Sequence, residues 1–230
     1  LDVRMYDGVV AVVMEKVDGV SLRELLDREG RLPPERALRI LEQAAEAMAA
    51  AHAFGFAHGD PSPDKILLLS DDVVKVADHG FLPAYFNAFY QGNAPDGCGA
   101  GPAWYATPET PVSIGRTPPA ADAGVLAAVL FEAVTGTPPW PDGDLGILFE
   151  HIRSAPHPDL AASMPELPPS VAAIVDTGLS KDPAKRDENG AEMAKAMATE
   201  RPMIETGGKS SGNRGEVEHR PREPRGRGLG

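Results

Sequence analysis

Two short acidic motifs lie on either side of a predicted β-hairpin. His58-Gly59-Asp60 precedes the hairpin, and Asp78-His79-Gly80 follows it. A carboxylate in such a motif can act as a general base towards a hydroxyl group or can bind a hard metal ion. Lys65 lies between the motifs, and its ammonium group donates hydrogen bonds but cannot bind a cation. Either tripeptide alone occurs by chance in many proteins, so its meaning depends on the elements that hold it.

The hairpin is predicted from two apolar runs, residues 66–69 and 73–77, which the turn Ser70-Asp71-Asp72 joins. After the second acidic motif, residues 81–103 are rich in Gly, Pro and aromatic residues and show neither a helical nor a strand period. We expect a long loop there, of the kind that is usually functional or mobile.

Helical patterns precede and follow this region. The sequence Ser21-Leu-Arg-Glu24 is a capping box that predicts the start of one helix, and Gly30 predicts its end. Pro33 and Pro34 predict the start of a second helix. The buried stripe of that helix is predicted at Leu38, Leu41, Ala45, Met48 and His52. Further helices are expected over 120–135, which is apolar nearly all round, and near 143–154, 168–179 and 188–199.

The chain is predicted to divide at about residue 200. Residues 1–200 hold the patterned segments, among them a β-branched run over residues 9–17 that predicts a buried strand. Residues 201–230 are rich in Gly, Arg, Glu and Pro and have almost no apolar residues. Such a segment cannot bury enough surface to offset its ordering entropy, so we expect a disordered tail.

Composition excludes several classes of protein. Hydrophobic residues make up 42% of the 230 residues, which suffices for a packed core. The net charge is −12, and residues 201–230 carry +3, so the first 200 residues carry −15 and argue against a nucleic-acid partner. No run approaches ~18 apolar residues, so no membrane segment is predicted. The single cysteine, Cys98, cannot form an internal disulfide and suggests a reducing, cytoplasmic compartment. Because the first residue is leucine, we expect a piece of a longer protein.

Taken in order, the short motifs resemble the bacterial members of the eukaryotic-type Ser/Thr protein kinase family. The matching segments are VVMEKVDGVSLRELL at the hinge, His58-Gly59-Asp60, Asp78-His79-Gly80, Thr107-Pro108-Glu109, Asp122, and Lys181 to Arg186. The resemblance implies an α+β, protein-kinase-like fold. It would comprise a mainly helical C-terminal lobe with short β-hairpins, and most of the N-terminal lobe would be missing from this chain.

The resemblance also implies site residues and cofactors. Asp60 matches the catalytic residue that orients the acceptor hydroxyl, and Asp78 matches the metal ligand. Met14 would take the gatekeeper position, and Glu15 to Val17 would form the hinge that meets the adenine. For Met14, Glu15 and Val17 the implied role is therefore cofactor binding. ATP and magnesium are the implied cofactors, although the replacements described next put their binding in question.

The departures from the family concentrate where phosphate would bind. Ser62 stands where the family has a lysine that steadies the transferred group, and Lys65 stands in place of the magnesium-binding asparagine. Gly59 replaces an arginine that in many kinases grips a phosphorylated loop, and no Ser or Thr lies between residues 80 and 107. We hypothesise that Lys65 pairs with Asp78 and stands in for the metal.

The structural positions of the family are kept. Glu109 and Arg186 match a buried ion pair, and Asp122 matches the residue that braces the catalytic loop. His58 is interpreted as a packed core histidine. His79 replaces the usual phenylalanine, and we interpret it as packed and neutral.

Three functions remain open at this point. The first is a catalytically impaired kinase-like module, a pseudokinase, that binds or regulates protein partners in signalling. The second is an active ATP-dependent Ser/Thr kinase seen as an N-terminally truncated fragment, and the third is a relative of small-molecule phosphotransferases. An unrelated helical domain is the alternative to all three.

Two surfaces could bind a partner protein or a second copy of the chain. Apolar residues near 9–14 and 66–69 are expected to be exposed, which predicts a partner or a dimer. Aromatic residues of the long loop either contact a partner or fold back onto the lobe. These residues are Phe81, Tyr85, Phe86, Phe89, Tyr90 and Trp104.

Overall fold

The structure, a computed structural model, describes residues 2–6, 9–80, 103–109, 118–140 and 144–207. The predicted loop over 81–103 and the predicted disorder beyond residue 207 therefore lie, but for residue 103, outside the described residues. The strands are β1 (Asp2–Tyr6), β2 (Val9–Val13), β3 (Val20–Ser21), β4 (Ile66–Leu68) and β5 (Val74–Val76). The α-helices are α1 (Leu22–Glu29), α2 (Pro34–His52), α3 (Pro119–Thr135), α4 (Leu145–Ser154), α5 (Leu160–Ser163), α6 (Pro169–Gly178) and α7 (Gly190–Gly207). Short 3₁₀ turns cover Ser70–Asp72, Ala103–Tyr105 and Pro183–Lys185.

The strands form two small antiparallel sheets. In one sheet β1 pairs with β2, and in the other the order is β3-β4-β5. The register of the predicted hairpin places Ile66 opposite Val76 and Leu68 opposite Val74. The turn of this hairpin is held from outside, because Arg36 of α2 donates to Asp72 from Nε and from a terminal nitrogen at 2.8 and 2.9 Å. The prediction of this hairpin is confirmed.

Local sequence signals explain where the helices begin and end. The capping box of α1 is formed, since the Glu24 N–H donates to Ser21 Oγ at 3.1 Å and the Ser21 N–H donates to Glu24 Oε2 at 2.8 Å. Pro34 occupies the first turn of α2, where a missing N–H costs nothing. Asp144 caps α4 by accepting from the Gly146 and Ile147 N–H groups at 2.9 and 3.1 Å.

The centre of the lobe is α3. Its side chains from Ala121 to Val134 are buried on all sides, as the continuous apolar sequence predicts. Aliphatic and methionine side chains of α1, α2, α6 and α7 complete one core around it. A smaller cluster attaches α4 to the lobe and consists of Ala106, Trp140, Leu148 and Ile152.

Several expectations from the sequence are wrong in detail. The strand predicted over residues 9–17 ends at Val13, whose side chain is exposed. Ile66 and Leu68 are buried and not exposed, because the β3-β4-β5 sheet packs against the core. The last helix, predicted near 188–199, runs to Gly207, and Arg201 pairs with Glu42 of α2 at 2.9 Å. Strand β1 and the four-residue helix α5 were not foreseen.

In the described part of the chain, no helix combines the length and the hydropathy that crossing a bilayer requires.

Helices α3 and α6 approach each other so closely that Gly178 has no room for a side chain. A Cβ atom at residue 178 would lie 2.3 Å from Cβ of Ala127. We therefore predict that Gly178→Ala lowers the free energy of unfolding by about 1–3 kcal/mol, because the helices must move apart. Thr177→Ala on the exposed side of the same helix should change it by less than about 0.5 kcal/mol. Equal stabilities of the two variants in urea unfolding would contradict this packing.

Candidate functional site

The loop that carries Asp60 is braced from below by Asp122, a fully buried residue in the first turn of α3. The Asp122 carboxylate accepts from the His58 and Gly59 N–H groups at 2.6 and 2.9 Å. It also contacts Nε2 of His52 at 2.8 Å. Gly59 has φ = 87°, a left-handed conformation that glycine adopts without strain. The predicted role of Asp122 as a brace agrees with this geometry.

The His52 ring connects Asp122 to the start of α7 through hydrogen bonds. Its Nδ1 accepts from the Gly190 N–H at 2.9 Å, so the proton of the neutral ring is on Nε2 and is donated to Asp122. Gly190 must be glycine here, because a Cβ atom would lie 2.3 Å from the Ala45 carbonyl oxygen. The ends of α2, α3 and α7 are thus joined by one hydrogen-bonded chain.

His58 holds the same loop against β5. Its ring accepts from the Asp60 N–H at Nδ1, at 3.2 Å, and donates from Nε2 to the Ala77 carbonyl at 2.8 Å. Burial lowers the pKa of His58, which keeps the ring neutral. His79 packs edge-on to His58, with ring centroids 5.1 Å apart. His58 is therefore a structural residue, in agreement with the interpretation from sequence.

The hairpin brings Lys65 and Asp78 together. The ladder of β4 and β5 continues one pair further, where the Ala77 N–H donates to the Lys65 carbonyl at 2.8 Å. Lys65 and Asp78 therefore lie at the same end of the hairpin. Nζ of Lys65 donates to Oδ2 of Asp78, and both side chains are about two-thirds or more buried. The ion pair that we hypothesised from the sequence is present in the structure.

Asp60 lies beside this ion pair in a largely buried position. Burial raises the pKa of Asp60 to about 6, and Asp64 and Asp122 act in the same direction. Lys65 and the buried hydroxyl of Ser62 act in the opposite direction. At neutral pH the carboxylate is ionised but is a stronger base than an exposed aspartate.

The residues at this site do not fit a magnesium ion. Magnesium prefers six oxygen ligands in octahedral geometry, whereas Lys65 places an ammonium group on the one carboxylate that the family uses for the metal. Among the described residues, no cluster of three or more His, Cys, Asp or Glu side chains could hold a metal ion. The metal role of Asp78 stays a prediction, and a metal there would have to displace the Lys65 ammonium group.

The predicted hinge residues lie on the segment that connects β2 with β3. Met14 is 52% exposed, and Val17 is half-buried. Glu15 is exposed and accepts from Nζ of Lys75 on β5, which ties the hinge to the hairpin. No contact here tests the adenine-binding role of Met14, Glu15 and Val17, which stays a prediction.

The predicted buried ion pair is formed at the far side of the site. The terminal nitrogens of Arg186 donate to both oxygens of Glu109, at 2.5 and 3.0 Å, and its Nε donates to the Ser180 carbonyl at 2.8 Å. Lys181, in the same segment, donates to the Ile152 carbonyl at the end of α4 at 2.5 Å. Its Nζ lies 4.0 Å from the centre of the Trp140 ring. This segment fixes the end of the Thr107-Pro108-Glu109 motif and the end of α4.

Sequence reasoning missed a second buried charge cluster. Glu132 of α3 is buried and accepts from Arg23 of α1 at 2.9 Å and from the Tyr105 hydroxyl. Burial and the charge of Glu132 raise the pKa of Tyr105, so its hydroxyl stays protonated. No sequence motif announces this cluster, because its members are far apart in the chain. It anchors the segment that precedes Thr107.

Sequence reasoning also missed two exposed aromatic side chains. Phe54 and Phe56 flank Gly55 in the turn after α2 and are 80% and 67% exposed. Of the loop aromatics proposed as contact residues, only Trp104 is described, and it is half-buried and packs against the core. The others, at residues 81–90, lie outside the described residues.

One larger groove lies between α6 and α7 and has a volume of about 490 Å³. Polar and small side chains line it, including Thr177, Glu192 and Lys195. The groove lies on helices that do not carry Asp60 or Asp78, so it is separate from the acidic motifs.

Comparison with known proteins agrees with the resemblance seen in the motifs. The family model described as "Protein kinase domain" matches residues 1–198. The Ser/Thr protein kinase PknA of Mycobacterium tuberculosis is 37% identical over 191 residues, which are 83% of this chain and 42% of that protein. PknB of Mycolicibacterium smegmatis is 34% identical over 186 residues, which are 79% of this chain and 29% of that protein. The chain thus spans less than half the length of these curated relatives.

The Glu109–Arg186 pair allows a matched test of buried and exposed charge pairs. We predict that Arg186→Gln lowers the free energy of unfolding by about 3–5 kcal/mol, because it removes the buried guanidinium that bonds to both oxygens of Glu109. The control is Arg153→Gln, which breaks an exposed pair with Glu150 and should cost about 0–1 kcal/mol. Urea unfolding measures both, and a small loss for Arg186→Gln would contradict a structural role for this pair.

The raised pKa of Asp60 predicts a pH-dependent stability. The folded chain keeps a proton on Asp60 between its ordinary pKa of 3.8 and about 6, whereas the unfolded chain releases it. The stabilisation from this proton is complete below pH 3.8 and is lost as the pH rises through about 6. Asparagine does not titrate, so the free energy of unfolding of Asp60→Asn should exceed that of the wild type by about 1–3 kcal/mol at pH 8.

The same comparison at pH 4 should show no gain for Asp60→Asn. Unfolding in urea at the two pH values measures the difference between variant and wild type, in which other titrating groups cancel. An equal difference at pH 4 and pH 8 would show that burial does not perturb Asp60.

Proposed function

The chain belongs to the protein kinase domain family, and we propose that it is a Ser/Thr kinase-like module that binds protein partners and does not itself transfer phosphate efficiently. In the terms used for this family, it would be a pseudokinase with a regulatory or scaffolding role in bacterial signalling. Family membership implies ATP and magnesium as cofactors and a protein as substrate or partner. For this chain, each of those is a proposal.

The observation that carries the proposal is the ion pair between Lys65 and Asp78. Phosphoryl transfer depends on positioning the nucleotide and on neutralising charge at its phosphates, with little covalent chemistry. Here the carboxylate that would hold the metal is already neutralised by a side chain. Ser62 weakens phosphoryl transfer further, because a hydroxyl cannot balance the charge of the transferred group as a lysine would.

The retained framework supports a binding function. Asp122, Glu109 and Arg186 still make the contacts that hold the loop and the helical lobe together. The buried charges that stabilise the lobe are kept, whereas the residues that would contact phosphate or its metal differ from those of the family. Such a chain can present a folded surface to a protein partner without transferring phosphate. Phe54 and Phe56 offer exposed aromatic contact area of the kind that is enriched at protein interfaces.

The second candidate is an active kinase of which this chain is a part. One observation favours it: Asp60 is present, and its pKa near 6 suits a general base at neutral pH. Against it, no neighbouring segment could restore a lysine at residue 62 or an asparagine at residue 65. We therefore rank it below the first. A cytoplasmic location and a possible dimer remain predictions from the sequence.

Transfer of labelled phosphate from ATP tests the proposal. The assay should use this chain and, in parallel, the longest natural polypeptide that contains it, with magnesium and a general protein acceptor. We predict that the wild type labels itself and the acceptor no more than Asp60→Ala does. Loss of one donor that stabilises a transition state costs about 10²–10³-fold in rate. Here the lysine of the family is replaced by Ser62, and its metal-binding asparagine is replaced by Lys65.

A paired reversion provides the control. Ser62→Lys combined with Lys65→Asn should raise labelling above the wild-type level in the longer polypeptide. The double variant has the lysine and the metal-binding asparagine that the family has at these two positions. Labelling by the wild type that disappears in Asp60→Ala would contradict the proposal and support the active kinase.

A further inference from the structure

The backbone conformation at Asp78 requires something to hold it. Asp78 has φ = 60°, in the left-handed region that residues with a Cβ atom rarely adopt, and Gly80 follows with φ = 67°. Among the described non-glycine residues, the others with positive φ are Asp71 and Asp72, in the hairpin turn that Arg36 holds by its bonds to Asp72. A strained conformation persists only where the surroundings fix it.

The contacts around Asp78 identify what fixes it. The Gly80 N–H donates to the His58 carbonyl at 3.3 Å, and the Ala77 N–H donates to the Lys65 carbonyl at 2.8 Å. Within the described part of the chain, the Asp78 side chain accepts a hydrogen bond from Nζ of Lys65. The backbone of Lys65 is itself fixed, because its N–H donates to the Ser62 carbonyl at 2.9 Å. The Lys65 side chain therefore extends from a backbone position that is held by hydrogen bonds.

The charge balance explains why a cation is needed there. Lys65 pairs with Asp78 and also acts on Asp60, on which the charge of Asp64 acts with the opposite sign. Without Lys65, the partly buried carboxylates of Asp60 and Asp78 would lose the positive charge that acts on both of them. The ammonium group supplies that charge whether or not a divalent ion is present in solution, because it is covalently attached to the chain.

From these contacts we infer that Lys65 is a built-in replacement for a divalent metal. It holds the Asp78-His79-Gly80 turn in its left-handed conformation without magnesium or nucleotide. The inference rests on the proposed function, since it describes the same cleft. Beyond the proposed function, we infer that the conformation of this cleft does not change when divalent ions are added. The surface that binds a partner would then be the same with and without magnesium or nucleotide.

The inference makes Lys65 the residue that separates a metal-independent cleft from a metal-dependent one. Lys65→Asn would replace the ammonium group by a carbonyl oxygen next to the Asp78 carboxylate, and both are ligands that magnesium and manganese accept. Lys65→Met would remove the charge and provide no ligand. Lys75→Asn is the matched control, because Lys75 also pairs with a carboxylate, Glu15, but no left-handed residue depends on it.

Two measurements on the full chain test the inference. The first follows the binding of Mn²⁺ by the loss of the free-ion signal in electron paramagnetic resonance. The second compares Tm with and without millimolar Mg²⁺. We expect the wild type, Lys65→Met and Lys75→Asn to bind no Mn²⁺ at the cleft and to show no Mg²⁺-dependent change of Tm. Lys65→Asn should bind Mn²⁺, and Mg²⁺ should raise its Tm by roughly 2–4 °C.

The outcomes separate this inference from the proposed function. Binding of Mn²⁺ by the wild type that Asp78→Asn abolishes would overturn the inference, and this arm does not depend on the folding of any Lys65 variant. A folded Lys65→Asn that behaves like Lys75→Asn would also overturn it. If the wild type binds no divalent ion but still transfers phosphate in the labelling assay, the proposed function fails and the inference stands. If it binds Mn²⁺ and transfers no phosphate, only the inference fails.

Discussion

The carboxylate of Asp122 is the contact on which the rest of this lobe depends. It is buried at the start of α3, where it accepts from the His58 and Gly59 N–H groups and from the His52 ring. Removing such an acceptor would leave buried donors without a partner, at a cost of about 1–3 kcal/mol for each group. Because His52 also accepts from Gly190, the same charge ties the acidic loop to the last helix. The loop is therefore rigid for reasons unrelated to any ligand.

The charged residues of the lobe form two groups, which differ in whether they match the kinase family. Those that close the structure are paired inside it, as Glu109 is with Arg186 and Glu132 with Arg23. Those that would face a phosphate are changed, and the change at residue 65 adds a pairing to the structure. A buried carboxylate that lost its metal without gaining Lys65 would carry an unbalanced charge. Under the proposed function, Lys65 thus supplies the charge that keeps the cleft folded without a metal.

Much of this architecture follows from the sequence because it is encoded by local signals. The capping box at Ser21, the paired prolines before α2 and the apolar length of α3 each determine an element by short-range physics. The pairing of Lys65 with Asp78 could also be predicted, because the two residues match metal-binding positions of the kinase family. The Glu132 cluster and the hydrogen bond of His52 could not, because they join residues that meet only after the helices pack. The exposure of Phe54 and Phe56 likewise depends on tertiary packing.

Anomalous diffraction from manganese, in crystals of the chain soaked with Mn²⁺ and a nucleotide, tests whether the Lys65 ammonium group takes the place of a metal in this cleft. We predict no anomalous peak at Asp78 and a Lys65 Nζ that stays within hydrogen-bonding distance of the Asp78 carboxylate. A manganese ion bound to Asp78, with Lys65 displaced, would contradict it.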